Sequence, residues 1–440
     1  MSCIHNNQIR QLIKNDYQLS NIQDIILILS QNNTFNFSAL ENGLFPAAIV
    51  EESTEYTGYA SVWVRDNVFV AYSHYISGEI DIAIKNVQCL INYFKKHKIH
   101  FMNIIDGYVS PSIVMRRPHI RFNGKDLEEI HQLWEHAQND ALGYFLWFYC
   151  KLVSEHLLQP SHEDLEVIAL FPLYFESISY WQDEDSGHWE EDRKVEASSI
   201  GVVVASLKIL RRVYTEDFSL SQHFQYKDKQ INIKFLDNLI QKGIDALNTI
   251  LPSESIQKGR ERRYDSALLF LIYPLKVLDE KMSDQIVTDV INNLQGKYGI
   301  SRYKGDSFWC RDYEDIPQAI RTSISTEREQ WFQENGRSLK DAEEAQWCIF
   351  DPIISAIFGT KFQETNKPEF LEKQVFYLNR SLGQITATDS KFGGFKCPEL
   401  YYLQGDIYIP NDATPLLWTQ ANLRIALKVM EQSLSFNTIA

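Results

Sequence analysis

The middle of the chain reads Asp183-Glu-Asp-Ser-Gly-His-Trp-Glu-Glu-Asp-Arg-Lys-Val-Glu-Ala-Ser-Ser-Ile-Gly201, and an apolar helical run follows it to Tyr214. At its centre, Trp189 stands beside two carboxylates, Glu190 and Glu191. An indole ring can cover the apolar face of a sugar, and a carboxyl held against that wall favours its neutral form, as a general acid requires. An acidic loop stabilised by a helix dipole would explain the same residues without chemistry. Taken alone the stretch favours that second explanation, and the rest of the chain changes the balance.

Helical periodicity recurs on both sides of this stretch, whereas the alternation typical of strands is scarce. The segments Ala141–Val153 and Ile200–Leu210 are apolar on more than one face, which is typical of helices buried in a larger assembly. The pattern predicts about twelve helices, near 20–31, 61–77, 79–97, 137–157, 163–181, 196–215, 233–250, 264–275, 282–295, 342–358, 366–381 and 415–433. A chain of that kind is expected to fold as an all-α toroid of two concentric layers.

The connections between the predicted helices are unusually long in four places. Loops of that length in a compact domain usually carry function. They lie at 98–136, 183–195, 297–341 and 382–414. Because no Pro/Gly/Ser-rich linker divides the chain, we predict a polar leader over residues 1–19 and a single domain over 20–440.

Composition limits the class of protein. The chain has 440 residues, of which 44% are hydrophobic and 23% charged, as in a soluble globular protein. A net charge of −15 disfavours nucleic acid and anionic membranes as partners. The N-terminus lacks a signal-peptide pattern, no apolar run is long enough to span a membrane, and the six cysteines form no CxxC pair. These features predict a cytoplasmic protein with reduced cysteines, and the absence of metal-type spacings and nucleotide-binding loops predicts neither metal nor cofactor.

Two candidate segments precede the central stretch. In Trp63-Val-Arg65-Asp66, an arginine beside an acid can present a planar hydrogen-bonding array to vicinal hydroxyls, although an ordinary ion pair at a helix start explains it equally. The second segment, from Trp134 through Gln138 to Asp140, heads a strongly apolar helix. Its acid could simply stabilise the first helical turn.

Two more segments follow the central stretch. Arg302-Tyr303 lies in a glycine-containing loop, where a surface arginine is the ordinary explanation. In Cys397-Pro398-Glu399-Leu400-Tyr401, the proline stiffens the loop that carries Glu399. A second carboxylate, far in sequence from Glu190, is what a two-carboxylate glycosidase needs.

Taken together and in order, these segments resemble glycoside hydrolase family 15. That family comprises glucoamylases and glucodextranases, together with the glycosidase-like domain of phosphorylase kinase α and β subunits. The resemblance covers the chain from about 45 to about 430. It implies an (α/α)6 barrel and inverting, exo-acting release of glucose from the non-reducing end of α-1,4- or α-1,6-linked glucosides.

The resemblance also implies roles for individual residues. Glu190 would be the general acid and Glu399 the general base, with the substrate an α-glucan or α-gluco-oligosaccharide. We expect Trp189 and nearby carboxylates to raise the pKa of Glu190, and solvent access and hydrogen bonds to keep Glu399 ionised. The implied substrate-binding residues are Trp63, Arg65, Asp66, Trp134, Gln138, Asp140, Trp189, Glu191, Arg302, Tyr303 and Tyr401.

Some features depart from a glucoamylase. Glu135-His136-Ala137 stands where the family has Gly-Arg-Pro, and the loop 304–341 is long and charged. That loop and the segment 397–401 lean toward the phosphorylase kinase branch. A catalytically weak or inactive glucan-binding or regulatory protein is therefore the alternative, although no residue pattern indicates a protein partner. A toroid enzyme of another class, such as a lyase or an epimerase, would not explain five matching segments in order.

Overall fold

Helices dominate the computed structural model, which describes residues 3–48, 58–216, 224–321, 324–339 and 343–439, with the backbone alone over 437–439. The α-helices are α1 Asn7–Leu12, α2 Leu19–Gln31, α3 Val64–Ile76, α4 Ile80–Lys96, α5 Ile99–Ile105, α6 Asn139–Ser154, α7 His162–Ser177, α8 Ala197–Glu216, α9 Ile233–Ile250, α10 Glu280–Leu294, α11 Gln318–Arg321, α12 Ser325–Glu334, α13 Asp351–Thr365, α14 Pro368–Gly383 and α15 Leu417–Ile439. Short 3-10 helices cover Val114–Arg116, Gly187–Trp189, Ser266–Leu271 and Tyr313–Asp315.

An inner ring of six segments forms the core. Helices α3, α6 and α8, the 3-10 helix Ser266–Leu271, α13 and α15 contact one another in that order, and α15 returns to α3. The inner helices are buried on all sides; α3, for example, is buried continuously from Val64 to His74. Helices α2, α4, α7, α9, α10 and α14 each pack against at least one inner segment. The predicted all-α toroid of two layers is confirmed.

Close helix packing in the ring depends on a glycine. A Cβ atom added at Gly143 of α6 would lie 3.2 Å from backbone atoms of both Val202 and Val203 in α8. Only glycine therefore allows these two inner helices their observed approach. The outer helix α7 begins at a capping box, in which the Ser161 hydroxyl accepts from the Asp164 N–H and the Asp164 side chain accepts from the Ser161 N–H.

Three of the secondary-structure predictions differ from the structure in the type, the start or the presence of a helix. The segment 264–275 holds a 3-10 helix, and Pro274, which lacks the N–H that an α-helix would need, follows it closely. The helix predicted at 342–358 begins only at Asp351, because Gln346–Trp347 forms a strand. The connections expected to be non-helical contain α5, α11 and α12. Within the leader 1–19, residues Asn7–Leu12 are helical.

Small antiparallel sheets accompany the ring of inner helices. In the described ranges they are β1 Val62–Trp63, β2 Arg121–Asn123 and β3 Glu128–Glu129; β4 Gln225–Tyr226 and β5 Lys229–Gln230; and β6 Gln346–Trp347, β7 Leu400–Gln404 and β8 Ile407–Pro410. Strand β1 runs directly into α3, and β6 precedes α13 by a few residues. Two of the sheets therefore stand at the N-terminal ends of inner helices.

In the described ranges, neither disulfides nor membrane-spanning helices contribute to the fold. All six cysteines are free thiols, and all except Cys3 are buried. Across the described ranges, no helix combines the length and the apolarity needed to cross a membrane.

Candidate active site

A cavity of about 450 Å³ opens where the inner helices begin, and its size suits a small-molecule ligand. Arg65 and Asp66 reach it from the first turn of α3, and Trp418 reaches it from the first turn of α15. Long connections supply most of the other walls. The lining includes Tyr59, Trp63, Arg65, Asp66, Trp134, Trp189, Glu190, Glu191, Arg302, Phe308, Glu327, Arg328, Trp347, Glu399 and Trp418.

Arg65 is held from below by buried polar groups. Its Nε donates to Asp140 Oδ2 at 2.6 Å, and its Nη2 donates to Gln138 Oε1 at 2.7 Å and to the Gly187 carbonyl at 3.0 Å. The remaining nitrogen, Nη1, lies 3.8 Å from Glu190 Oε1. Gln138 and Asp140 therefore fix the direction in which the guanidinium faces the cavity.

Asp66 presents a second polar group to the cavity. Burial raises the pKa of this carboxyl to about 7, although the adjacent charge of Arg65 opposes the shift. At neutral pH the side chain is divided between its acid and carboxylate forms, so it can both donate and accept hydrogen bonds.

The backbone at Glu190 adopts a left-handed conformation, with φ 58° and ψ 40°, directly after the 3-10 helix Gly187–Trp189. Gly187 also has a positive φ, and a Cβ atom there would lie 1.5 Å from Glu196 Oε2. Such conformations are costly for residues other than glycine and persist where the surroundings enforce them. The loop thereby turns two successive carboxylates, Glu190 and Glu191, toward different neighbours.

Glu190 and Glu191 have opposite electrostatic environments. Burial raises the pKa of Glu190, and the charges of Arg65 and Arg121 only partly offset it. Burial acts in the same direction on Glu191, but the guanidinium groups of Arg302, Arg262 and Arg328 outweigh it and lower that pKa to about 2. Environments that push two neighbouring pKa values apart are typical of acid–base sites.

Glu191 is the centre of an arginine cage. Its Oε1 accepts from Nη2 of Arg302 at 2.9 Å and from Nη2 of Arg328 at 3.3 Å. Its Oε2 accepts from the Tyr303 hydroxyl at 2.5 Å and from Arg262 Nη2 at 3.3 Å. With every lone pair engaged, Glu191 serves as a fixed negative charge under the cavity.

Glu399 reaches the cavity from the opposite end of the sequence. Its Oε1 accepts from the Tyr59 hydroxyl at 2.7 Å, and its Oε2 accepts from Asn411 Nδ2 at 2.5 Å. The expected hydrogen bonds are present, but the expected solvent access is wrong, because only 3% of Glu399 is exposed. Burial consequently raises its pKa to about 7 despite these two bonds and the charge of Arg302.

Aromatic rings cover much of the remaining wall. The indole of Trp189 donates from Nε1 to Asp265 Oδ1 at 3.0 Å, which fixes the ring. The Arg302 guanidinium lies 5.2 Å from this ring and 4.9 Å from that of Trp347. Trp134 stands edge-on to Trp63, with ring centroids 6.0 Å apart. Rigid indoles beside fixed hydrogen-bonding groups suit a ligand with apolar faces and a polar rim, as a sugar has.

The structure brings most of the predicted site residues together. Those that line the cavity are Trp63, Arg65, Asp66, Trp134, Trp189, Glu190, Glu191, Arg302 and Glu399. Gln138, Asp140 and Tyr303 lie beneath it and hold Arg65 or Glu191 in place.

Tyr401 is absent from the described lining of the cavity. Its hydroxyl donates to the Gln384 carbonyl at 2.8 Å, and its ring stacks on His5 at 4.5 Å between centroids. Packing against the N-terminal segment thus covers the side chain that the sequence assigned to substrate.

Several residues that line the cavity, or that bond a lining residue, escaped sequence reasoning. Tyr59 and Asn411 act on Glu399 through single tertiary hydrogen bonds, which no local pattern announces. Arg328 belongs to the charged loop whose role was left open, and it reaches the cavity from α12. Trp347 and Trp418 could have been suspected from the abundance of tryptophan.

Comparison with known proteins places this arrangement in context. The sequence model of Glycosyl hydrolases family 15 matches residues 22–381. The skeletal muscle α regulatory subunit of phosphorylase b kinase from Oryctolagus cuniculus is 25% identical over 294 residues, which cover 60% of this chain and 22% of the subunit. This chain thus matches only about a fifth of that relative's length.

Solved structures share the fold across nearly the whole chain. A glycosidase variant described in complex with glucose superposes with a TM-score of 0.65 at 14% identity, covering 95% of this chain and 98% of the other. Glucoamylase from Saccharomycopsis fibuligera gives a TM-score of 0.60 at 13% identity, covering 96% and 97%. At these identities the likeness concerns the (α/α)6 fold.

Proposed function

The chain belongs to glycosyl hydrolases family 15, and on that premise we propose that it is an exo-acting glycoside hydrolase that inverts configuration. Its substrates are α-1,4- or α-1,6-linked gluco-oligosaccharides, from whose non-reducing ends it releases glucose. The observation that carries this proposal is the meeting of Glu190 and Glu399 in one indole-lined cavity.

The two carboxyls divide the chemistry between them. Glu190, whose pKa burial raises, donates its proton to the glycosidic oxygen as the bond from that oxygen to the anomeric carbon breaks. Glu399 accepts a proton from a water molecule whose oxygen bonds to the anomeric carbon from the opposite face of the ring. The product is β-glucose, and two carboxyls roughly 6.5–9.5 Å apart would leave room for that water.

The remaining groups orient the terminal glucose. Arg65 and Asp66 offer fixed hydrogen bonds to hydroxyls at the closed end of the cavity, and Trp189 covers an apolar face. The free energy of binding these hydroxyls is thereby used to hold the anomeric carbon between the two carboxyls. Because Glu399 must be ionised and its pKa is about 7, the active fraction rises as the pH rises through neutrality.

The decisive experiment follows the anomers released from maltose, isomaltose and short maltooligosaccharides by proton NMR. We expect β-glucose as the first product and a loss of about 10²–10⁴-fold in kcat for Glu190→Gln and for Glu399→Gln. The matched control is Glu184→Gln, since Glu184 lies in the same loop as Glu190 with a side chain that is 44% exposed. Substantial turnover by a folded Glu190→Gln or Glu399→Gln variant would remove that carboxylate from the mechanism.

A second candidate function rests on the match to the phosphorylase kinase α subunit. In that case the cavity binds glucan and turnover has been lost. Saturable binding of maltooligosaccharide by calorimetry, without any product anomer in the NMR experiment, would establish this alternative. The match spans only 22% of the subunit, so a protein partner for this chain belongs to this alternative as a proposal only.

A further inference from the structure

Outside the cavity, several imidazoles converge on one carboxylate oxygen. His100 Nε2 lies 2.8 Å from Glu129 Oε1, His97 Nδ1 lies 3.7 Å from it, and His119 Nδ1 lies 3.8 Å from it. The ligand-type atoms of His100, His119 and Glu129 are all within 4.8 Å of one another. The four residues come from the end of α4, from α5, from the segment before β2 and from β3.

Each of these histidines gives one ring proton to a backbone carbonyl. His97 Nε2 lies 2.7 Å from the Leu127 carbonyl, His100 Nδ1 lies 3.0 Å from that of Arg116, and His119 Nε2 lies 3.1 Å from that of Met115. Since a carbonyl oxygen only accepts, these nitrogens carry the protons. The second nitrogen of each neutral ring then presents a lone pair toward Glu129.

That arrangement lacks donors at its centre. A proton shared between His100 and Glu129 would satisfy that one pair and leave His97 and His119 facing an acceptor. His119 is only 3% exposed, and its Nδ1 has no hydrogen-bond partner among the described residues. A buried acceptor without a donor is costly, and a cation at the centre of the cluster would satisfy the lone pair of His119 Nδ1.

We propose that His100, His119 and Glu129 bind a zinc ion, with water as the fourth ligand. Zinc takes imidazole and carboxylate ligands at about 2.0–2.2 Å in a tetrahedron, whose ligand atoms are then roughly 3.3 Å apart. The spacings of 2.8 Å from His100 Nε2 and 3.8 Å from His119 Nδ1 to Glu129 Oε1 bracket that value. The carbonyls that hold the distal ring protons supply the outer-sphere hydrogen bonds that metal-bound histidines regularly make.

The position of the site gives the ion a structural role. It would tie α5 to β3 and to the segment before β2, in the sheet that also contains β1. His119 also stacks on His136 with ring centroids 3.7 Å apart, and His136 belongs to the segment that brings Trp134 to the cavity. Zinc would therefore stiffen the wall of the cavity that carries Trp134. Sequence spacing concealed the site because its ligands come from separate segments.

The test measures zinc binding by the whole chain, independently of any hydrolysis. After dialysis against EDTA and return of Zn²⁺ alone, we expect the wild type to retain one ion per chain through gel filtration, and to melt at a higher temperature with the ion than without it. Co²⁺ in its place should give the intense visible absorption of a four-coordinate ion. Retention of no zinc, or cobalt bound with only the weak absorption of an octahedral ion, would overturn the proposal.

Variants locate the site. His119→Ala and the isosteric Glu129→Gln should each weaken zinc binding by more than the roughly 10–100-fold that loss of an outer-sphere partner causes. The control is His162→Ala, because this histidine is 62% exposed on α7. Circular dichroism in EDTA verifies that each variant is folded. Equal zinc uptake by folded His119→Ala and His162→Ala would show that the ion binds elsewhere.

Discussion

Two long connections between helices line the cavity on different sides, and each is anchored by a single carboxylate. The hairpin wall, residues 97–138, contains β2, β3 and Trp134, and its polar centre is Glu129 among imidazoles. The arginine wall, residues 297–339, contains Arg302 and α12, and it docks on Glu191 through guanidinium groups. Neither connection has enough helix to bury an apolar face of its own, so both depend on polar anchors.

The difference lies in where the positive charge comes from. Arginines are always protonated, so the arginine wall brings its own cations, and Asp306 balances Arg302 at 2.6 Å. Imidazoles carry a positive charge only when protonated, so under our proposal the hairpin wall takes its cation from solution. A carboxylate anchor can thus be self-sufficient or metal-dependent according to the residue type that surrounds it.

The walls also act on different catalytic candidates. The charge of Arg121 in β2 lowers the pKa of Glu190, while the charge of Arg302 lowers that of Glu399. Each wall thus tunes one of the two carboxyls between which the substrate would lie.

The largest effect is expected on the free energy of unfolding when the two anchoring carboxylates, Glu191 and Glu129, are replaced one at a time. Glu191→Gln leaves buried guanidinium groups without their shared counter-ion and should lower the free energy of unfolding by about 3–5 kcal/mol. Glu129→Gln in EDTA should cost about 1 kcal/mol, since it removes a hydrogen bond among neutral rings. Urea unfolding of both variants measures the contrast, and similar losses would abolish the distinction between the walls.

A smaller effect is expected from loosening the arginine wall alone. Arg328→Met removes a charge-assisted bond to Glu191 and should lower the hydrogen-exchange protection of α12 amides by roughly 10–100-fold. Gln333→Met is the matched control, because Gln333 is an exposed residue of the same helix. Indistinguishable exchange in the two variants would mean that Glu191 does not hold α12.

The smallest effects concern the pH dependence of kcat/KM. The Tyr59 hydrogen bond favours the ionised form of Glu399, so Tyr59→Phe should move the ionisation near pH 7 to higher pH. Arg121 likewise favours ionised Glu190, so Arg121→Met should move the other ionisation to higher pH and leave the first in place. Arg116→Met, at an exposed position of the hairpin wall, is the control. Movement of the same ionisation by both substitutions would contradict the assignment of one carboxyl to each wall.

Sequence reasoning succeeded where a signal is local. The segments that form α6 and α8 are apolar on more than one face, so their burial in an inner layer could be predicted from the sequence. The strand Gln346–Trp347 is too short to show any periodicity. The Trp63–Asp66 motif works within one helix start, and its residues were found. Tyr59 and Asn411 gain their roles only when the fold brings Glu399 to them. Tyr401 lies outside the described lining and stacks on the His5 ring, a contact between residues too distant in sequence to be predicted.

The closed ring of inner helices has a consequence for how the chain is made. Helix α3 is synthesised long before α15, yet Phe69 of α3 packs 5.0 Å from Trp418 of α15. At about 5–20 residues per second, the intervening chain takes roughly 20–70 seconds to translate. For that time the apolar face of α3 has no permanent neighbour on one side. The inner ring is therefore expected to stay open during synthesis until α15 packs against α3 and closes the circle.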